Sequence, residues 1–502
     1  MTKSEFGACI KKARNAQKIW AALPYGQRER RLKKAGTYLA AHVEELRETV
    51  CRDTGKLPLD ALAAEILPAI MALDYYRQKG RAFLAPRRIR GGNPLMFNKR
   101  SRMVYEPYGV VGIISPWNYP FAIPFSEIVM ALLAGNAVVF KISSRSLRVG
   151  RALEAMFAAA DLPQGLFTYV EMAGRDAGPA FIGSPGAPGP GTPGVDKLFF
   201  TGSTATGREL MTLAAPRLLP LVLELGGADA AIVRADADVD RAAAGIAWAA
   251  FSNAGQSCGG VQRIIVHQDL YEVFLEKFCA LVRGLRRGID LGPMSTLAQK
   301  QEVRRQVERC LRMGARIAAK SGEAFFQEEK TTEAPAVVLR DVKFGMPIME
   351  EEVFGPVAGV IPAADDEEAL GIANNSCYGL TASIWSRNRR RARSLAGRIN
   401  AGVVMINDHL MSHGLAETPW GGFGNSGLGR SHGEPGFKEM VKARVIVDDI
   451  LPGVKRDIFW YPYSEEVFTG IRAIVDMVSG KAGQRIAAIP RVLRVFFRYW
   501  KK

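Results

Sequence analysis

Short apolar runs rich in β-branched residues, separated by helix-like segments, constrain this chain most. GVVGIISP (109–116) and AGNAVVFKIS (134–143) are two such runs. Strands this apolar on both faces must be buried on both, and a parallel sheet covered by helices meets that requirement. The same alternation fills 165–235, where KLFFTGS and TGRELMTLAA precede LPLVLELGG, and a further α/β stretch runs from Asp236 to about Asn407. The fold expected is α/β, built on a doubly wound sheet. Before it, Ile10, Ala13, Ile19 and Leu23 recur at helical spacing, as do apolar residues from Leu57 to Tyr76, so residues 1–85 read as helical scaffold. GSPGAPGPGTPG (183–194) reads as a surface loop.

A chain of 502 residues needs more than one core, and 48% hydrophobic with 23% charged side chains excludes disorder. No apolar run is long enough to span a membrane and the N-terminus has no signal-peptide core, so a cytoplasmic location is expected. The six cysteines form no CxxC pair and no zinc-type cluster, which points to a reducing compartment and no metal. The formal charge of +17 favours an anionic surface; no recognition motif accompanies it, so nucleic acid is excluded.

Two features carry chemistry. LELGG places Glu224 at a strand end, and 34 residues later GQSC sets Cys258 among small polar residues. A carboxylate and a thiol could serve as base and nucleophile, and a helix start at the cysteine would favour thiolate. Read in order, SPWNYPF (115–121), GNAVVFKIS (135–143), FFTGSTATG (199–207), LELGG (223–227), GQSC (255–258), EEVFGP (351–356) and PWGGFGNSGLGR (419–430) resemble the aldehyde dehydrogenase superfamily, over about residues 10–448.

The resemblance implies a dinucleotide-binding domain (1–88 and 108–225), a catalytic domain (226–430) and a small β oligomerisation arm (89–107 and 431–450). It implies a Cys258 nucleophile, Asn118 as oxyanion donor with the Cys258 N–H, and Glu224 as the base that activates water on a thioester. It implies NAD or NADP held by Lys141, Ser144, Gly202, Ser203, Gly207, Glu352 and Phe354, with Trp117 as pocket wall. Trp420 reads as packing. Where many members carry a proline and then a glutamate after the lysine, this chain has Ile142 and Ser144 beside Arg145 and Arg148, which leaves both cofactors open. The resemblance also implies a homodimer or homotetramer acting on a small-molecule aldehyde.

Residues 451–502 depart from the soluble pattern. From Gly470 onward there are eight Lys or Arg and one acid, with Ile471, Ile474, Val475 and Val478, then Ile486, Ile489, Leu493, Phe496, Phe497 and Trp500, at helical spacing. Such a block can lie in an anionic interface, which suggests peripheral membrane binding through 470–502; packing on the protein and a subunit contact are the alternatives. The loop Asp408–Leu415 carries no cation to clamp a carboxylate and offers Leu410, Met411 and Leu415 to an apolar chain. The chain also resembles the family's members with a membrane-associating C-terminal tail, which oxidise fatty or isoprenoid aldehydes, and that resemblance implies medium- or long-chain aliphatic, isoprenoid or aromatic aldehydes as substrates. A CoA-acylating enzyme, a semialdehyde dehydrogenase and a non-catalytic scaffold are the competing readings.

Overall fold

The β-branched runs become strands of two sheets. The computed structural model describes residues 1–91, 96–183, 194–322, 330–454 and 457–497. Most of the Gly/Pro segment 183–194, and Arg498 and Trp500 of the tail, lie outside the described residues.

In the first sheet the order is Gly427–Leu428, Leu221–Glu224, Lys197–Thr201, Val110–Ser115, Ala137–Ile142 and Phe167–Tyr169. All pairs are parallel except that of Gly427–Leu428, which runs antiparallel to Leu221–Glu224. From Val110–Ser115 the chain winds to one side for two strands and then returns to the other. The carboxyl ends of Val110–Ser115 and Lys197–Thr201 therefore flank a switch point, the crevice where doubly wound sheets bind ligands. The helix Ala122–Ala134 is buried on every residue, as befits a segment between the first two strands.

The second sheet runs Arg316–Lys320, Val337–Arg340, Val357–Ala363, Val261–His267, Asp229–Val233, Thr381–Trp385 and Val403–Ile406, parallel apart from its first strand. Gly427–Leu428, which the sequence groups with residues 226–430, belongs instead to the first sheet. A side chain at Gly427, whose φ is 140°, would meet the Leu223 carbonyl at 2.0 Å, so the motif glycine permits this pairing.

The N-terminal helices need one correction. On Lys3–Ala21 the buried stripe is Phe6, Ile10, Ala13, Ala16 and Trp20, whereas Ile19 is 63% exposed. The Trp20 indole donates to the Leu132 carbonyl at 2.8 Å, and that anchorage sets the helix's rotation. A continuous helical stretch from Pro58 to Phe83 contains a π turn at Leu62–Ile66. Pro68 has no N–H to give, and its ring would strike the carbonyl of Ala64 in regular α geometry; the wide turn relieves both.

Contacts divide the chain into Met1–Ala85 with Glu106–Lys442, and Pro86–Tyr105 with Ala443–Lys502. The sequence reading draws its boundaries at 89, 107, 431 and 451 instead. The second unit contains strand Arg87–Ile89 and two helices, Glu465–Ser479 and Ala482–Phe496. Those helices pack on each other through Ala473, Ala488 and Val492, and through Val467 and Val495 with Ile458. The tail's apolar positions are thus split. Ala488, Val492 and Val495 are buried, while Ile486, Ile489, Leu493 and Phe497 form a second, exposed stripe. Among the described residues no helix is long and apolar enough to cross a membrane.

Candidate active site

Cys258 lines two cavities, of about 260 and 400 Å³. The smaller is walled by Trp117, Asn118, Glu224, Gly226, Glu352 and Phe354 among others. The structure thus brings the three expected chemical residues, Cys258, Asn118 and Glu224, to one volume. A third cavity of about 470 Å³ shares Pro116, Trp117, Thr201, Gly202 and Ser203 with the smaller one and continues to Lys141. Both lie at the switch point of the first sheet.

Cys258 is not at a helix start. It sits in a turn between a short 3-10 segment, Ser252–Gly255, and the strand Val261–His267. Burial pushes its thiol up, and the carboxylates of Glu352, Asp229 and Glu224 push it further, the opposite of the thiolate bias the sequence suggests. The approach to the turn is contorted. Asn253 and Ala254 both have φ of 53° and Gly255 has 69°. A left-handed non-glycine residue costs about 1–3 kcal/mol, and such strain gathers at functional sites. A side chain at Gly255 would come within 2.2 Å of the Gly355 carbonyl, so GQSC and EEVFGP fit only through their glycines.

The Asn118 amide donates one N–H to the Gln256 carbonyl at 3.1 Å, which leaves its second N–H for another acceptor. The Cys258 N–H has no acceptor among the described residues. Glu224 ends its strand as expected; Oε1 accepts the Ser431 N–H at 3.2 Å, while Oε2 is buried without a partner. Burial holds the Glu224 carboxyl well above the usual range, with Glu127 adding to the effect. Burial also raises Glu127 to about 8, Asp229 to about 7 and Glu352 to about 7.

On the dinucleotide side, Lys141 is buried in its strand, burial pushes its pKa down, and its ammonium has no partner among the described residues. An unpaired cation facing a cavity, beside the unpartnered hydroxyls of Ser115 and Thr201, fits a ligand rich in hydroxyl and phosphate oxygens. Ser203 caps the helix Thr204–Ala214, accepting from the Thr206 N–H at 3.3 Å, and the helix N-terminus faces the crevice. Gly202 lines both cavities there. Glu352 Oε1 accepts the Gly227 N–H at 3.3 Å; a side chain at Gly226 would approach its Oε2 at 2.2 Å. Phe354 stands edge-on to Trp117 with centroids 5.6 Å apart.

Two expected residues fall elsewhere. Gly207 lines none of these cavities; a side chain there would meet Leu225 at 2.7 Å, so this glycine serves helix-to-strand packing. Ser144 is exposed and Ser143 takes the wall position, while Arg148 is paired with Asp53 at 3.0 Å.

The 400 Å³ cavity is apolar. Leu410, Met411 and Leu415 line it, and so does Trp420, which the sequence reading assigns to packing. So do Leu59, Leu67 and Met71 of the supposed scaffold and Trp248, all four large, apolar and 47–73% exposed. Lys56 is the cation in its wall, but its ammonium pairs with Glu65 at 2.5 Å. Helical spacing marked this N-terminal stretch as amphipathic; nothing local revealed that its exposed residues edge a cavity. Among the described residues no His, Cys, Asp or Glu cluster is placed to hold a metal ion.

The family model described as "Aldehyde dehydrogenase family" matches residues 1–446. A 4,4'-diapolycopene aldehyde oxidase from Methylomonas sp is 36% identical over 94% of this chain and 87% of its own length. A Mycobacterium ulcerans protein provisionally named as a succinate-semialdehyde dehydrogenase (NADP+) is 33% identical, covering 89% and 84%. The NAD+ complex of an aldehyde dehydrogenase from Bacillus cereus superimposes with a TM-score of 0.83 at 29% identity, covering 90% of each chain. The chain belongs to the aldehyde dehydrogenase family of oxidoreductases, which use NAD or NADP.

Proposed function

We propose that this enzyme oxidises an apolar aldehyde to the carboxylic acid: aldehyde, NAD(P)+ and water give acid, NAD(P)H and a proton. The observation that carries the reading is Cys258 in the walls of two cavities, one that continues towards Lys141 and one that is apolar. The Cys258 thiol gives its proton to water, and the sulfur adds to the aldehyde carbon. The free Asn118 N–H and the Cys258 N–H hold the resulting oxyanion, donors aimed where charge develops. NAD(P)+ supplies the hydride acceptor, and a thioester remains on Cys258. Glu224, with Oε2 free, takes the proton of the water that cleaves it. Lys141, Ser203, Gly202 and Glu352 hold the cofactor, with Trp117 and Phe354 as walls. Ser144 serves only by sparing a 2′-phosphate the repulsion of a carboxylate, which supports use of NADP beside NAD. A base that activates water is of no use when CoA is the acceptor, so Glu224 disfavours that route.

The wall chemistry supports an apolar substrate over a semialdehyde. Lys56 is neutralised by Glu65, and Asp60 in the same wall would repel a substrate carboxylate. In a series of aldehydes run with NAD and NADP in parallel, kcat/KM is expected to rise with chain length, each buried CH₂ contributing about 0.8 kcal/mol, roughly fourfold. Succinate semialdehyde outperforming a saturated aldehyde of equal length would refute the reading.

Residues 1–88 with 108–225 supply Lys141 and Ser203 to the cofactor and Leu59, Leu67 and Met71 to the aldehyde cavity, while 226–430 supplies Cys258 and lends Glu352 and Phe354 to the cofactor. The arm serves a homodimer or homotetramer; exposed Val445 and Val447 on strand Val441–Asp449 support association between copies. The tail binds anionic lipid through its exposed stripe, Ile486, Ile489, Leu493 and Phe497, beside Arg491 and Arg494. Each such cation contributes about 1 kcal/mol near an anionic surface. Intact chain is expected to float with phosphatidylserine vesicles, less so at high salt, and chain ending at Pro452 to stay in solution. Equal recovery of both would remove the tail from the account.

A further inference from the structure

Lys56 and Glu65 have fully buried side chains and form an ion pair that the reaction above does not use. Burying two charges is expensive unless their remaining donors and acceptors are satisfied, and here each is satisfied by the loop that carries Asn118. The Lys56 ammonium also donates to the Asn118 carbonyl and lies 3.9 Å from the centroid of the Tyr119 ring. Glu65 Oε2 accepts the N–H groups of Phe121 at 3.0 Å and Ala122 at 2.9 Å. Those donors open the helix Ala122–Ala134, whose own N-cap residue supplies no side-chain acceptor. Glu65 is therefore that helix's cap, reaching in from the π turn.

Asn118 is held from both sides. Its carbonyl receives Lys56 and the Asn253 side-chain amide, the latter at 3.2 Å, and its own amide is tied to the Gln256 carbonyl. Asn253 is one of the two left-handed non-glycine residues that lead to Cys258. The ion pair thus connects the loop bearing the amide to the turn bearing the sulfur.

We infer that Lys56 and Glu65 are positioning residues: together they hold the Asn118 backbone so that the free N–H of its side-chain amide faces the oxygen of the aldehyde attacked by Cys258. This rests on the oxyanion role given to Asn118. A displacement of about 1 Å in such a donor can cost on the order of 100-fold in rate.

The test is a cycle of variants followed by single-turnover NAD(P)H formation. Lys56→Met combined with Glu65→Gln leaves no lone buried charge, and the glutamine carbonyl can still accept from Phe121 and Ala122. This pair is expected to slow NAD(P)H formation about 10- to 100-fold, with KM for the cofactor and the rate of Cys258 alkylation by iodoacetamide unchanged. Asn118→Ala alone is expected to slow it about 100- to 1,000-fold. Adding the pair to Asn118→Ala should slow it no further, because both act through one donor.

A combined loss equal to the product of the separate losses would overturn the inference. So would an equal slowing of alkylation, which marks a general loosening of the site. A wild-type rate in the paired variant beside a slow Asn118→Ala would overturn it alone; a wild-type rate in Asn118→Ala would overturn the oxyanion role and this inference together.

Discussion

Replacing Cys258 by alanine is expected to abolish NAD(P)H formation with every aldehyde, a loss on the order of 10⁴- to 10⁶-fold in kcat/KM. At 1.36 kcal/mol per tenfold this is about 5–8 kcal/mol of transition-state stabilisation. Without the sulfur no covalent adduct forms, and the donors at Asn118 and residue 258 have no oxyanion to bind. The other five cysteines cannot substitute, since none lines the cavities that meet at Cys258. Cofactor binding should survive, because Lys141 and Ser203 lie along the adjoining crevice. Titration of the variant with NAD and NADP separates lost chemistry from lost folding, and steady turnover by the alanine variant would dismiss the assignment.

Glu224→Gln should separate the two halves of the reaction. The variant is expected to give a first burst of about one NAD(P)H per site and then turn over about 10²- to 10⁴-fold more slowly, since hydrolysis alone lacks its base. In the native protein burial holds the Glu224 carboxyl well above its ordinary range, so the basic form grows as pH rises. The hydrolysis-limited rate of the wild type should therefore climb with pH while the glutamine variant stays flat. Stability moves the other way. A carboxyl whose native pKa is raised contributes fully below its unfolded value and loses that contribution as pH rises through the native one. Glutamine cannot ionise, so the variant's melting temperature should fall less than that of the wild type as pH rises above the ordinary carboxylate range. A variant lacking the burst, or one turning over at the wild-type rate, would contradict the role given to Glu224.

The parallel strands were legible because burial on both faces demands β-branched runs, and 110–115, 137–142 and 197–201 obey that demand locally. Glu224 at a strand end was legible for the same reason. The turn at Cys258 was not, because small polar residues suit a helix start and a strained turn equally. Gly207 looked like a cofactor glycine but makes room for Leu225, a partner distant in sequence. Lys56 and Glu65 gave no sign, since an ordinary helical face and a buried cross-chain pair read alike until the fold brings Phe121 and Ala122 to them. The apolar wall was half visible: the loop around Leu410 announced it, while Leu59, Leu67 and Met71 passed as scaffold.

The wide turn at Leu62–Ile66 makes the length of this stretch part of its information. One residue of helix is worth about 100° of rotation, so shortening the segment by a single position would swing Glu65 away from the N–H groups it caps. Substitutions that preserve the residue count can be absorbed along much of this helix, but a one-codon deletion there would re-aim a carboxylate, loosen an ammonium, unseat an amide and disturb the stretch of aldehyde wall that the same turn carries.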